Sequence, residues 1–153
     1  MAAIVESIEI ARRPEEVFAY ATDFSHFPEW QGGVSSARPE SDAPLAVGSK
    51  AIVTRQAGPR KLARTEEITE LNPPMSWAGR GVGGPLVAIA KGTIEPLDDG
   101  QRSRVTISLE FGGHGIGKLL VPLVIRRQAR KQLPRNLQQL KERLERRTSP
   151  QPL

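Results

Sequence analysis

Residues 105–147, VTISLEFGGHGIGKLLVPLVIRRQARKQLPRNLQQLKERLERR, decide the fold, because their apolar period changes once along the stretch. Val105, Ile107, Leu109 and Phe111 alternate with Thr106, Ser108 and Glu110. That is a strand with one face turned to a core and the other wet. From Ile116 the spacing becomes helical. Leu133, Leu137, Leu140 and Leu144 step by four, three and four, the stripe of an amphipathic helix. The helix is predicted over about 117–146, and its stripe needs an apolar surface to cover. Pro134 removes an amide donor and crowds the preceding turn, so a kink is expected near it.

Upstream, the chain supplies that surface as a series of strands. Asp98-Asp99-Gly100 is a hairpin signal before the strand at 105. Further strands are predicted at about 86–96, 75–81, 61–71, 49–57 and 34–38, with turns at Asn72-Pro73-Pro74 and Gly58-Pro59. Residues 4–11, IVESIEIA, alternate as a first strand. Pro14-Glu15-Glu16 then opens a helix, since proline suits the first turn and carboxylates suit its positive end. Phe24–Trp30 reads as a second short helix, with Asp23 as its cap. The order is strand, two short helices, a run of antiparallel strands, one long helix. A curved sheet of six or seven strands under a straight rod leaves a gap, and such gaps are ligand sites.

The 153 residues suit one domain, expected over 1–147, with 148–153 a disordered tail. No run of eighteen apolar residues marks a membrane span, and the start does not read as a signal peptide. The chain has no cysteine, so disulfides, thiolate metal sites and cysteine nucleophiles are excluded. A cytoplasmic protein is expected. The net charge of +5 is uneven. From Lys118 onward ten Lys/Arg stand against two Glu, while residues 1–117 carry −3. The basic excess belongs to the final helix, as its solvent face or as a surface for anionic lipid.

Three stretches resemble a known family: residues 7–30, SIEIARRPEEVFAYATDFSHFPEW; residues 66–81, EEITELNPPMSWAGRG; and residues 113–145, GHGIGKLLVPLVIRRQARKQLPRNLQQLKERLE. They are similar to the opening, the middle hairpin and the last helix of the polyketide cyclase/dehydrase-like group. That group lies within the START / Bet v 1-like (SRPBCC) superfamily. The resemblance implies an α+β helix-grip fold: a curved antiparallel sheet wrapped around a long C-terminal helix, with an apolar cavity between them. It implies a hydrophobic ligand such as a lipid or polyketide, and in a minority of members cyclase or dehydratase chemistry. It carries no catalytic residue set over to this chain.

Residue by residue, the cavity is expected to have Leu119, Leu120 and Leu123 as its roof. Val105, Ile107, Leu109, Phe111 and Trp77 form its wall and floor, and the small residues Ala88, Ala90 and Gly92 leave space open. Projecting the downstream leucine stripe backward brings Arg126 onto the inner face; projecting Ile116, Leu120 and Leu123 forward brings Arg127 there instead. One of the two faces the cavity and meets a ligand carboxylate or phenolate, or both snorkel outward. Strand parity puts Glu66 and Glu70 on the face of Ile68, either inward and paired with Arg64 or Arg55, or on an exposed edge.

Gly112–Lys118 fits the start of a phosphate-binding loop, but Leu119 stands where Ser or Thr must hold Mg²⁺. No nucleotide binding is expected there, and the glycines serve as a turn. Gly79–Gly84 reads as a hairpin at the cavity mouth. His26 and His114 have no companions for a metal site, so no metal and no cofactor are expected. The low aromatic content and the lack of a recognition motif argue against nucleic acid.

Three functions remain. The first is a carrier or sensor of one hydrophobic small molecule. The second is a cyclase, aromatase or dehydratase working in the same cavity, which needs a polar group held inside it. The third is a peripheral membrane or protein contact through the basic helix, where Ile116, Leu119, Leu120, Leu123 and Val124 precede Arg126, Arg127, Arg130 and Lys131.

Overall fold

A computed structural model describes residues 3–82, 86–113 and 121–147. Strand β1 (Ile4–Ile10) leads into α1 (Pro14–Thr22), a 3-10 turn (Phe24–His26) and α2 (Phe27–Trp30). Six strands follow: β2 (Val34–Pro39), β3 (Lys50–Ala57), β4 (Arg60–Asn72), β5 (Ser76–Val82), β6 (Leu86–Leu97) and β7 (Arg102–Gly113). The chain then forms α3 (Val121–Arg146). The residues expected to lead into that helix, and the tail from Thr148, lie outside the described residues.

The seven strands make one antiparallel sheet in the order β1-β7-β6-β5-β4-β3-β2. Each strand from β2 to β7 pairs with its neighbour in sequence, and β1 joins at the far end beside β7. Short hairpins suffice for such a meander. Between β6 and β7, Asp98, Asp99 and Gly100 all take positive φ, 49°, 55° and 83°. Aspartate and glycine are the residue types that tolerate this left-handed turn. The sheet curves around α3, which packs on β1, β7 and the two short helices.

The core gathers where the sheet, the short helices and α3 meet. Ile10, Val105, Val53 and Ala51 from the sheet are essentially solvent-free, as are Leu137 and Leu140 from α3 and Val17 from α1. Phe18, Tyr20, Phe24, Phe27 and Trp30 fill the corner where the short helices turn. The predicted leucine stripe is the buried stripe: Leu133, Leu137, Leu140 and Leu144. The helix continues through Pro134, whose side chain is exposed. The carbonyl that loses its amide donor belongs to Arg130, also an exposed residue.

Two clamps hold α3. At its C-terminal end Glu145 accepts from the amide of Ala11 at 2.8 Å, Lys141 donates to the carbonyl of Glu9 at 2.9 Å, and Arg12 donates to the carbonyls of Glu145 and Arg147, both at 2.8 Å. Midway, Asn136 accepts from the amide of Gly32 at 2.8 Å and from Gln132 at 2.7 Å.

Candidate functional site

Residues directly opposite in an antiparallel pair share a face, so the register sorts the sheet. Ile107, Gly92, Trp77 and Leu71 form one row across the inner face. Leu109, Ala90, Gly79 and Ile68 form the next, and Phe111 faces Ala88 in the row beyond. The first row is full. The Trp77 ring lies flat across Gly92, where a Cβ would collide with it. Its edge meets Phe18 of α1 with ring centres 5.9 Å apart and planes at 82°. Trp77 is therefore buried core, the inner end wall of whatever lies beyond.

Beyond it the middle of the floor is built of small residues, while Ile4 and Ile68 at the two ends of Leu109's row stay buried at 7% and 4% exposure. Ala90, Gly79, Ala88 and Gly81 offer a methyl group at most. Along β7, Val105 and Ile107 are 0% and 5% exposed, whereas Leu109 and Phe111 are only partly covered although they stand on the same face. Along β7, burial falls off where the facing side chains shrink. Of the residues expected to roof this space, Leu119 and Leu120 lie outside the described residues, and Leu123 falls within α3 with no side chain described.

The two arginines separate cleanly. Arg126 is 8% exposed and Arg127 is exposed. Arg126 stands seven residues before Leu133, two helical turns, so it continues the buried leucine stripe. The downstream phase runs unbroken past Pro134 and determines which arginine turns inward.

A polar group occupies the other side of the inner face. Arg55 pairs with Glu66, and both its terminal nitrogens lie 3.4 Å from the side-chain oxygen of Gln31. Arg64 reaches over Gly81, whose Cβ would stand 3.4 Å from its guanidinium. Glu66 shares the inner face with Ile68, as parity predicts. Glu70 does not, because a bulge between Ile68 and Glu70 shifts the register by one residue. Glu70 then stands opposite Ala78 on the outer face, 3.8 Å from Lys91. The sequence shows no sign of the bulge, since Thr69 is an ordinary strand residue.

Two clefts are outlined by described residues, and neither is the expected cavity. One, of about 640 Å³, lies between α1, the loop after β2, and Leu71 with Pro73. The other, of about 350 Å³, sits at the end of α3 among Tyr20, His26, Glu29, Arg143, Arg146 and Arg147. There His26 stacks on Tyr20 at 4.3 Å, Arg147 covers the ring at 5.1 Å, and the Tyr20 hydroxyl donates to Glu29 at 2.6 Å. Burial, then the Glu29 carboxylate, push the Tyr20 hydroxyl well above its ordinary pKa. Tyr20 is a fixed donor here. His114 and most of the Gly112–Lys118 loop lie outside the described residues. The described strands all pair antiparallel, so this loop has no parallel β-α-β setting such as a nucleotide loop uses. Among the described residues no helix is long and apolar enough to cross a membrane.

Comparison with known proteins agrees with this architecture. A family model described as polyketide cyclase / dehydrase and lipid transport matches residues 1–145. No curated protein matches the chain. Among solved structures, the Zhui aromatase/cyclase from Streptomyces sp. R1128 superposes with a TM-score of 0.81 at 12% identity, covering 97% of this chain and 96% of that one. A START superfamily protein from Mycobacterium smegmatis gives 0.79 at 13% identity, covering 97% and 100%. A protein from Thermus thermophilus, TTHA0849, gives 0.77 at 17% identity, covering 96% and 99%. At these identities the likeness is one of fold.

Proposed function

The chain belongs to the polyketide cyclase / dehydrase and lipid transport family, and from that premise we propose that it binds one hydrophobic small molecule between the inner face of the sheet and the first half of α3, as a carrier or sensor. The observation that carries this reading is the break in packing along the inner face. A fully packed row at Trp77 and Gly92 gives way to Gly79, Ala90 and Ala88 beside the partly covered Leu109 and Phe111. Protein interiors are otherwise filled to crystal-like density, so a run of missing side chains over two rows marks space kept for something else.

N-phenyl-1-naphthylamine, a neutral apolar fluorophore, is expected to bind saturably near one per chain at micromolar concentration. Ala90→Trp, which fills the floor beside Gly79, is expected to weaken that binding at least tenfold while leaving the fold intact by circular dichroism. Absence of saturable binding to the unsubstituted chain would overturn the reading. Native mass spectrometry of freshly purified protein would identify a co-purifying lipid or polyketide directly.

One observation favours a second reading, a cyclase, aromatase or dehydratase in the same space. Arg55, Glu66 and Arg64 bring a carboxylate and two guanidinium groups to the inner face, the kind of fixed polar set that ring-closing or dehydrating chemistry requires. The two readings separate on Glu66→Gln. Under the enzyme reading it removes turnover of a polyketide-like substrate; under the carrier reading there is no turnover to remove, and probe binding persists.

A further inference from the structure

Arg126 is the inner-face cation whose environment is least accounted for. It is more than nine-tenths buried, on the stripe that α3 turns toward the sheet. Among the described residues no carboxylate, carbonyl or hydroxyl bonds to its guanidinium. The other inner-face charges differ. Arg55 is held by Glu66 and Gln31, and Arg64 also has an interaction. Glu6, on the inner face opposite Ile107, makes no ion pair with Arg126. None of its nitrogens is among the fully buried, unpaired side-chain atoms, so the stem is covered while the head group reaches open space, as an unpartnered cation must. On the side of α3 that faces the sheet it offers five donors in a planar fork.

We propose that the cavity takes an apolar carboxylic acid, its hydrocarbon body on Leu109, Phe111 and the Ala90–Gly79 floor, and its carboxylate forked on Arg126. The inference rests on the cavity reading above and adds the ligand class to it. A planar carboxylate matches the guanidinium in two parallel hydrogen bonds, and such pairs are stronger where water is excluded. A neutral ligand of the same shape would leave the fork unmatched, so the site discriminates by head group rather than by chain. The family resemblance does not require this, because it carries no site residue over to this chain.

The test displaces N-phenyl-1-naphthylamine with dodecanoate and with 1-dodecanol, two ligands of one chain length that differ in the head group. Dodecanoate is expected to bind the unsubstituted protein at least tenfold tighter than dodecanol. Arg126→Met, which keeps the apolar volume, is expected to erase that gap while leaving fluorophore affinity within twofold. Arg126→Lys, which keeps the charge but loses the fork, is expected to retain part of it. Arg135→Met, an exposed charge on the same helix, is expected to change nothing. Equal affinity for acid and alcohol in the unsubstituted chain would overturn the proposal, as would a gap that survives Arg126→Met. If Arg126→Met does not fold, the acid–alcohol comparison and Arg126→Lys still decide. Failure of the fluorophore to bind at all would instead remove the cavity reading on which this one stands.

Discussion

A single missing Cβ lets the core close around Trp77. Gly92 accepts the Trp77 ring, and with it the edge contact to Phe18 that ties α1 to the sheet. Gly92→Ala would force the indole off its rotamer in a packed core, at a cost of about 1–3 kcal/mol. The expected result is a lowered melting temperature with quenched or shifted Trp77 emission, and a melting curve unchanged by Gly92→Ala would contradict it. Trp77 is foreseeable as a buried ring. Its partner is not, since a glycine in a strand signals close approach without saying by what. Arg126 teaches the same lesson. The stripe of leucines is in the sequence, but the choice between Arg126 and Arg127 waits on whether Pro134 resets the phase, and its exposed position means that it does not.

At the scale of the element, α3 is secured at its C-terminal end. Glu145 carries much of the securing through Ala11 and Lys141. Burial alone would raise its pKa, but the Ala11 amide, Lys141 and Arg12 outweigh it and hold the carboxyl below its ordinary 4.5. A carboxyl whose pKa is lowered on folding adds stability above its unfolded value, and that stability disappears as the pH falls through the lower folded value. Glu145→Gln is therefore expected to cost about 1.5–3 kcal/mol at neutral pH, the range for a hydrogen bond to a charged group. The difference from the unsubstituted chain should close in acid. Denaturant titrations at two pH values check this, and a gap of constant size would show that the charge is irrelevant. The strands were legible by alternation, apart from β4, where the bulge after Ile68 reverses Glu70 while leaving Glu66 in place.

For the whole molecule, the fold sets the link between binding and stability. A ligand that occupies only the folded cavity at one hundred times its dissociation constant adds about 2.7 kcal/mol. For a domain of this size each kcal/mol raises the melting temperature by about 2–4 °C. Saturating dodecanoate is thus expected to shift the transition upward by about 5–10 °C, with Arg126→Met losing most of the shift; no shift in the unsubstituted chain would mean that the acid does not bind the native state. The sequence by itself determined the element order, the antiparallel hairpins and the buried face of α3, because these depend on periods of two and 3.6 and on turn residues such as Asp98-Asp99-Gly100, all local in the chain. Only the tertiary structure decided that β1 pairs with β7, that Arg55 meets Glu66, that Arg126 rather than Arg127 is buried, and that burial along β7 drops between Ile107 and Leu109. Those outcomes depend on which distant residues meet across a curved sheet, and on which of them are too small to touch, and neither quantity has a period that a one-dimensional pattern can carry.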